Sequence, residues 1–416
     1  MVHETFCGID WAEEHHDVAV VDRDGVVLAR ARISDDAAGY GELLAVLTEH
    51  GDAAGCVTPV AIETGRGLLV AALRASGRPV FVINPMAAAR YRERWTSARS
   101  KSDAVDAQLL ANVLRTDAAM HRPLPADTEL VRALAVLARA GQEAVWARQQ
   151  LANQLRSVLR EFFPAALTAF QVKHIGLASR EALAVLTAAP TPTTASRLTR
   201  NQLRRLFVRA GRQRNLDTWS DRLLDIFAAE QLHHDQQVEA AFGAQVSALV
   251  LQLSAAATAA DQLLARTELV FAQHPDAQII TSFPGLGPIT GARVLAEIGD
   301  DRSRFSTAKA LKAYAGSAPV TRASGKSKIV MYRRVKNNRL AATGYLWAFA
   351  ALTKSPAARA HYDQRRARGD RHAAALRHLF NRMIGQLHHC LEKHTSYAEE
   401  KAFNSFQPPP QPAIAA

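Results

Sequence analysis

The sequence predicts a mixed α/β domain, a helical module that includes a coiled coil, and a mainly helical C-terminal region. Three observations carry that prediction. Residues 1–125 place a hairpin signal ahead of alternating strand and helix patterns. Two long helical runs, 128–163 and 236–271, follow with an insertion between them. The charge also changes sign along the chain: residues 1–125 sum to −4 and the remainder to +16, within a total of +12.

The first domain reads in order. FCGID is a short apolar run ending in an acid, and VAVVD and VVLARARI flank Asp24-Gly25, a hairpin turn between β-branched runs. SDDAAGYGELLAVLTEH reads as a helix with a serine N-cap and Leu43, Leu44 and Leu47 at helical spacing. TPVAIET is a buried strand ending at Glu63, GLLVAALRASG a helix closed by Gly77, and RPVFVINP a strand stopped by Pro85. A helix beginning at KSDAVDAQLL closes the domain.

The helical module covers 126–272. Its TAAPTPTTAS segment, 187–196, reads as a proline- and threonine-rich linker, and 197–214 holds seven arginines and no acid. The third region, 273–395, opens with IITSFPGLGPITGARVLAEIGD. The Pro-Gly-Leu-Gly turn there resembles a helix-hairpin-helix, which offers backbone N–H groups to phosphate. STAKALKAYAGSAP adds a helix, and the tail, 396–416, is expected to be disordered.

With 416 residues, 48% hydrophobic and 22% charged, the chain has the composition of a soluble globular protein with room for several cores. A pI near 9.9 calls for a polyanionic partner. Cys7, Cys56 and Cys390 form no CxxC, which argues against disulfides and structural zinc. The N-terminus carries acids where a signal peptide needs a basic and then an apolar run, and no stretch of about 18 uninterrupted apolar residues is present. The expectation is a cytoplasmic, nucleoid-associated protein without a membrane partner.

Asp103 and Asp106 alone could be acids favoured by a helix N-terminus. Their companions change the reading. Asp10 and Glu63 each end a buried strand, where a lone carboxylate is costly. Four converging acids would bind Mg²⁺, or Mn²⁺, as oxygen ligands. Two such ions activate a nucleophile and steady the leaving oxygen at a phosphodiester. The order strand-Asp, strand-Glu, helix-Asp-x-x-Asp resembles a RuvC-type, ribonuclease-H-like nuclease domain.

Ser324, in RASGKSK, sits at a Ser-Gly turn among Arg322, Lys326 and Lys328. A phosphate-loop reading of GKS fails because position 320 is Val320, not glycine. What remains is a serine whose neighbouring cations could hold a phosphodiester against it, with Ser317 and Ser327 as rivals. The acid-free run 322–339, with Arg333, Arg334, Lys336 and Arg339, and the run containing Arg204 and Arg205 are candidate nucleic-acid contacts. The pairs His15-His16, His233-His234 and His388-His389 lack further ligands at metal spacing and read as structural or surface residues.

Taken together, GIDWAEEHHDVAVVD, AIETG, KSDAVDAQLLA, PGLGPITGARVLAEIGD and YAGSAPVTRASGKSK resemble the DEDD transposases of the insertion-sequence 110 family, over roughly residues 5–395. The resemblance implies a RuvC-like domain with Mg²⁺ at Asp10, Glu63, Asp103 and Asp106. It also implies a C-terminal transposase domain in which Ser324 forms a transient covalent link to DNA. It further implies a bridge RNA pairing with donor and target DNA, and a dimer or tetramer joined through the central helices. The segment 197–214 aligns with no motif of that family. The alternatives are a metal-only junction nuclease in which water attacks, and a non-catalytic nucleic-acid-binding scaffold.

Overall fold

The computed structural model describes residues 4–95, 103–170, 176–325 and 327–403; the side chains of 94, 95, 103 and 104 are also outside the description. The chain forms two compact units, Met1–Ala126 and Asp127–Ala416.

In the first unit, β1 (Thr5–Trp11), β2 (His15–Asp22) and β3 (Val27–Ser34) form an antiparallel meander. After α1 (Ala37–Glu49), β4 (Val60–Ile62) joins β1 in parallel. Helix α2 (Leu68–Ala75) then leads to β5 (Val80–Val82), parallel to β4, and the sheet order is β3-β2-β1-β4-β5. Helices α3 (Pro85–Trp95) and α4 (Asp103–Asp117) complete the unit. Helix α1 is capped by Asp36, which accepts from the Gly39 N–H, and not by the expected serine.

Side chains of the strands alternate between two apolar layers. Cys7, Ile9, Val18, Val20 and Ile62 pack with Leu43, Leu47 and Leu73 of α1 and α2. Ala61 packs on the other face with Leu109, Leu110, Val113 and Leu114 of α4, joined by Phe6. Helix α4 lies directly on β1 because Gly8 has no side chain. A Cβ there would stand 2.0 Å from the Ala107 carbonyl oxygen and 2.4 Å from the Ala111 nitrogen.

In the second unit, α5 (Glu129–Phe162) and α11 (Gln236–Ala272) run antiparallel. Gly141 meets Leu263 and Leu264 near one end, and Phe162 stacks on Phe242 at the other. By length and composition α11 could cross a membrane, yet it packs along α5 and its ends enter two helical cores. One core gathers α6 (Pro164–Phe170), α7 (Arg180–Ala188), α8 (Pro192–Ala195), α9 (Arg200–Arg209) and α10 (Leu216–Ala228).

The segment expected as a linker, 187–196, is instead a packed corner. Thr191 is buried and makes a reciprocal capping box with Thr194. The Thr193 N–H donates to Glu239 of α11, and Gly243 leaves room for the Thr191 methyl. Burial pushes the Glu239 carboxyl up, but hydrogen bonds from Thr193 and His233 outweigh it and hold the group down at about 2. Proline and threonine here serve capping, which composition does not distinguish from a linker.

The other core holds α12 (Ala277–Thr281), α13 (Pro288–Ile298), α14 (Ala308–Tyr314), α15 (Asn338–Ala351), α16 (Pro356–Ala367), α17 (His372–Lys393) and α18 (Glu399–Ala402). Between α14 and α15 a two-stranded hairpin, β6 (Val320–Ser324) and β7 (Ser327–Met331), departs from the expected helical content. The tail expected to be disordered from 396 is folded at its start: Ala402 and Phe403 are buried in this core, and 404–416 lie outside the described residues.

Candidate functional site

The sheet register sets the acids in a transverse row. Ile9 pairs with Ile62, so Asp10 and Glu63 are the next residues on adjacent parallel strands, about 4.8 Å apart in backbone. Alternation along β1 turns Asp10 toward the face that α4 covers, opposite Ile9, and Glu63 is the first residue after β4. Both are half-buried. Glu63 has no hydrogen-bond or ion-pair partner among the described residues.

Asp17, which the sequence reading passed over, joins the row. It lies opposite Asp10 on β2, is buried, and takes two bonds from Arg32 of β3 at 3.2 and 3.0 Å. Its signal was a lone acid inside the apolar strand HHDVAVVD, on the Asp10 side of the pleat.

Helix α4 runs opposite to β1. Its Arg115 bonds the Arg23 carbonyl beyond the Thr5 end of β1, while Ala107 sits over Gly8. Its first turn, with Asp103 and Asp106, therefore lies toward the Asp10 end. Asp106 is buried, and its Oδ1 accepts from Arg92 Nε at 3.0 Å and Nη2 at 2.6 Å. Arg92 belongs to α3, a helix the sequence reading did not place before α4. The Asp103 side chain lies outside the described residues. Among the described residues no three acid, histidine or cysteine side chains converge enough to hold a metal ion. The four-acid arrangement includes Asp103 and so lies partly outside the described residues; of the described acids, Asp17 and Asp106 are turned to guanidinium groups.

Of the histidine pairs, His16, His233 and His388 bond within the protein, to Asp35, Glu239 and the Phe305 carbonyl.

Ser324 is the last residue of β6, exposed, opposite Ser327, with Gly325 at φ +54° turning the chain. Arg322 shares the Ser324 face of the hairpin, because residues i and i+2 point the same way. Lys328 pairs with Ala323 and lies on the opposite face. Lys326 lies outside the described residues. Ser317 is buried, donating to Asn381 Oδ1 at 3.0 Å and approaching the Lys312 carbonyl oxygen at 3.2 Å.

The hairpin stands on a polar core. Glu297 is buried and takes two bonds from Arg139 at 2.8 and 3.0 Å. It also accepts from Asn337 Nδ2 at 2.6 Å, and the same nitrogen reaches the Tyr314 hydroxyl at 2.7 Å. Asn337 in turn caps α15 through the Leu340 N–H. The turn expected to offer amides to phosphate is packed inward at Gly285, where a Cβ would stand 2.7 Å from the Ala351 nitrogen. The Pro284 carbonyl accepts from the Trp347 indole.

The basic residues divide. Arg322, Lys328 and Arg334 are exposed, and Arg333 is half-buried. Lys336 lies over the Tyr332 ring with its stem against Gly316. Arg339 is tied to Gln142 and Glu143 of α5 and stacks near Trp146. Arg204 faces Asp217 at 3.9 Å, and Arg205 bonds the Asn201 carbonyl. The acid-free look of 197–214 is therefore local to the sequence: α10 supplies Asp217 and Asp221 across the helix pair.

A family profile for DEDD transposases of the IS110 type, described as "Transposase", matches residues 7–164. A second, described as "Transposase IS116/IS110/IS902 family", matches residues 277–363. The protein named "Mini-circle putative transposase for IS117", from Streptomyces coelicolor, is 60% identical over 398 residues, 96% of both chains. The chain belongs to the IS110 family of transposases. The "Insertion element IS900 uncharacterized 42 kDa protein" of Mycobacterium paratuberculosis is 30% identical over 95% of this transposase and 98% of its own length. The "Insertion element IS116 uncharacterized 44.8 kDa protein" of Streptomyces clavuligerus is 30% identical over 398 residues, 91% of this chain and 92% of its own. The first profile covers the acid row and α5, and the second covers Glu297, Tyr314, Asn337 and the Ser324 hairpin.

Proposed function

We propose that this transposase cuts and rejoins DNA strands with a divalent cation at Asp10, Glu63, Asp103 and Asp106 and with Ser324 as nucleophile. The observation that carries the reading is the pair Asp10 and Glu63, each directly following the paired residues Ile9 and Ile62 of adjacent parallel strands. The sheet order β3-β2-β1-β4-β5 supports a ribonuclease-H-like unit of the RuvC type. The donor set is all oxygen, which suits Mg²⁺ or Mn²⁺. Among the described residues Glu63 has no partner, and Arg92 bonds one oxygen of Asp106. When bound, such an ion supplies charge stabilisation at the phosphate.

Ser324 Oγ attacks phosphorus. The Oγ–P bond forms, the bond from phosphorus to the leaving sugar oxygen breaks, and that oxygen ends with the proton. The incoming strand end reverses the step, so bond energy is kept and no ATP is required. Arg322, on the same hairpin face, is placed to neutralise the phosphate. Ser317 is a poorer candidate because its hydroxyl is buried and bonded to Asn381. DNA is the substrate, as donor and target, and an RNA of the element guides the pairing.

Active molecules are dimers or tetramers joined along α5 and α11, whose Val136, Trp146, Leu251 and Leu269 are exposed in a single chain. Leu251→Lys with Leu269→Lys is expected to shift the sedimenting species toward monomer; an unchanged mass removes these helices as the joint. The chemistry itself is tested by incubating the protein and the element's transcript with DNA carrying donor and target ends. Recombinant product is expected with Mg²⁺ or Mn²⁺ and not after chelation. Full exchange in chelator sinks the cation reading.

A further inference from the structure

A third basic surface lies in the second unit, built from residues outside both arginine- and lysine-rich runs of the sequence. Two adjoining concavities, of about 630 and 750 Å³, share Lys312 and Arg382 as common walls. The first opens between α16 and α17 and adds Arg365 and Arg368. The second continues along α17 to α18 and adds Lys393 and Lys401. Among the described residues no carboxylate lines either one.

Six cations facing one groove are costly unless an anion enters it, because like charges at this range repel. Some are already partnered. Arg365 pairs with Asp370 beside the groove, and Arg382 bonds the Ala402 carbonyl and stacks on Phe403. Lys312, Arg368 and Lys393 form no ion pair among the described residues. Lys312 is laid across Gly385, where a Cβ would stand 2.4 Å from its Cε. His361 lines the first concavity, and its Nε2 is buried without a hydrogen-bond partner among the described residues. Burial, helped by Arg382, His378, Arg365 and Arg368, lowers His361 to about 4, which leaves it neutral at physiological pH. Gln364 and Asn381 in the first concavity, and Gln386, Thr395 and Ser396 in the second, add neutral hydrogen-bonding groups.

We infer that this groove binds a single strand of nucleic acid through successive phosphates, with Lys312, Arg368 and Lys393 as its free cations. A concave, cation-lined channel follows one backbone, whereas a duplex presents a broad convex surface that seats poorly in it. The neutral amides and hydroxyls suit sugar and base edges. The inference rests on the transposase reading only for the identity of the polyanion, and not on which serine or acids react.

The test is binding of labelled twenty-nucleotide probes to the full-length chain: oligo-dT, oligo-U and a mixed-sequence DNA duplex. In Lys312→Gln/Arg368→Gln/Lys393→Gln, single-strand affinity at 0.1 M salt should fall about 100-fold. The slope of log K against log salt should drop by about 2, since each single-strand phosphate contact contributes about 0.7. Loss for oligo-U alone would assign the groove to RNA, and loss for both strands to either source. Unchanged single-strand binding, or a loss confined to duplex, overturns the inference. The readout is independent of cleavage, so inactivity of Ser324→Ala or Asp10→Asn leaves it untouched. Should the triple variant fold poorly, Lys393→Gln alone, exposed near the end of α17, is expected to cost about fivefold with a slope change of about 0.7.

Discussion

Asp10→Asn is expected to abolish strand exchange while leaving the first unit folded. Substituting a residue that merely supports a metal ligand already costs about 10- to 100-fold, so loss of a ligand's charge should cost about 10³-fold or more. Stability should not fall, because Asp10 stands between Asp17 and Glu63 in the sheet row and the substitution removes like-charge repulsion. Exchange is measured by recombinant product, and folding by thermal unfolding of the same preparation. Wild-type exchange by a folded Asp10→Asn protein would show that the acid row is structural. Glu63→Gln should behave alike. Arg92→Ala makes a useful contrast: it releases Asp106, which the ion pair now holds.

Ser324→Ala is expected to eliminate both recombination and the denaturation-resistant protein–DNA adduct, with nucleic-acid binding nearly unchanged. The residue is exposed at the end of β6, and its hydroxyl makes no hydrogen bond among the described residues. Its effect on stability should stay within about 0.5 kcal/mol. Ser317→Ala should do the opposite. It removes a buried hydrogen bond to Asn381 and should cost about 1 kcal/mol, with the adduct retained. Adduct formation is read on denaturing gels with labelled DNA. If Ser324→Ala still cleaves at the wild-type rate while Asp10→Asn does not, water is the nucleophile and the metal-only nuclease is correct. If the adduct survives in Ser324→Ala and disappears in Ser327→Ala, the paired serine across the turn is the reactive one.

Much of this molecule was legible as sequence because local rules dominate there. The long helices at 128–163 and 236–271 match α5 and α11 within a residue or two, since dozens of consecutive helix-compatible residues overwhelm end effects. The hairpin at Asp24-Gly25 and the strands beside Asp10 and Glu63 were equally legible, within a residue at their ends, because β-branched runs and turn glycine are local signals.

What only the tertiary structure decided concerns partners distant in the chain. Asp17 joins Asp10 through strand pairing, and Arg92 reaches Asp106 from a separate helix. The arginines of α9 meet acids of α10, so a run that looks unpaired in sequence is partly neutralised in space. Lys312, Arg368, Arg382 and Lys393 are scattered over some eighty residues and form a groove only when α14, α16 and α17 pack. Composition and periodicity report a residue's immediate neighbours. Electrostatics act through space, so which charges are balanced and which remain open to a ligand depends on packing that no single segment encodes.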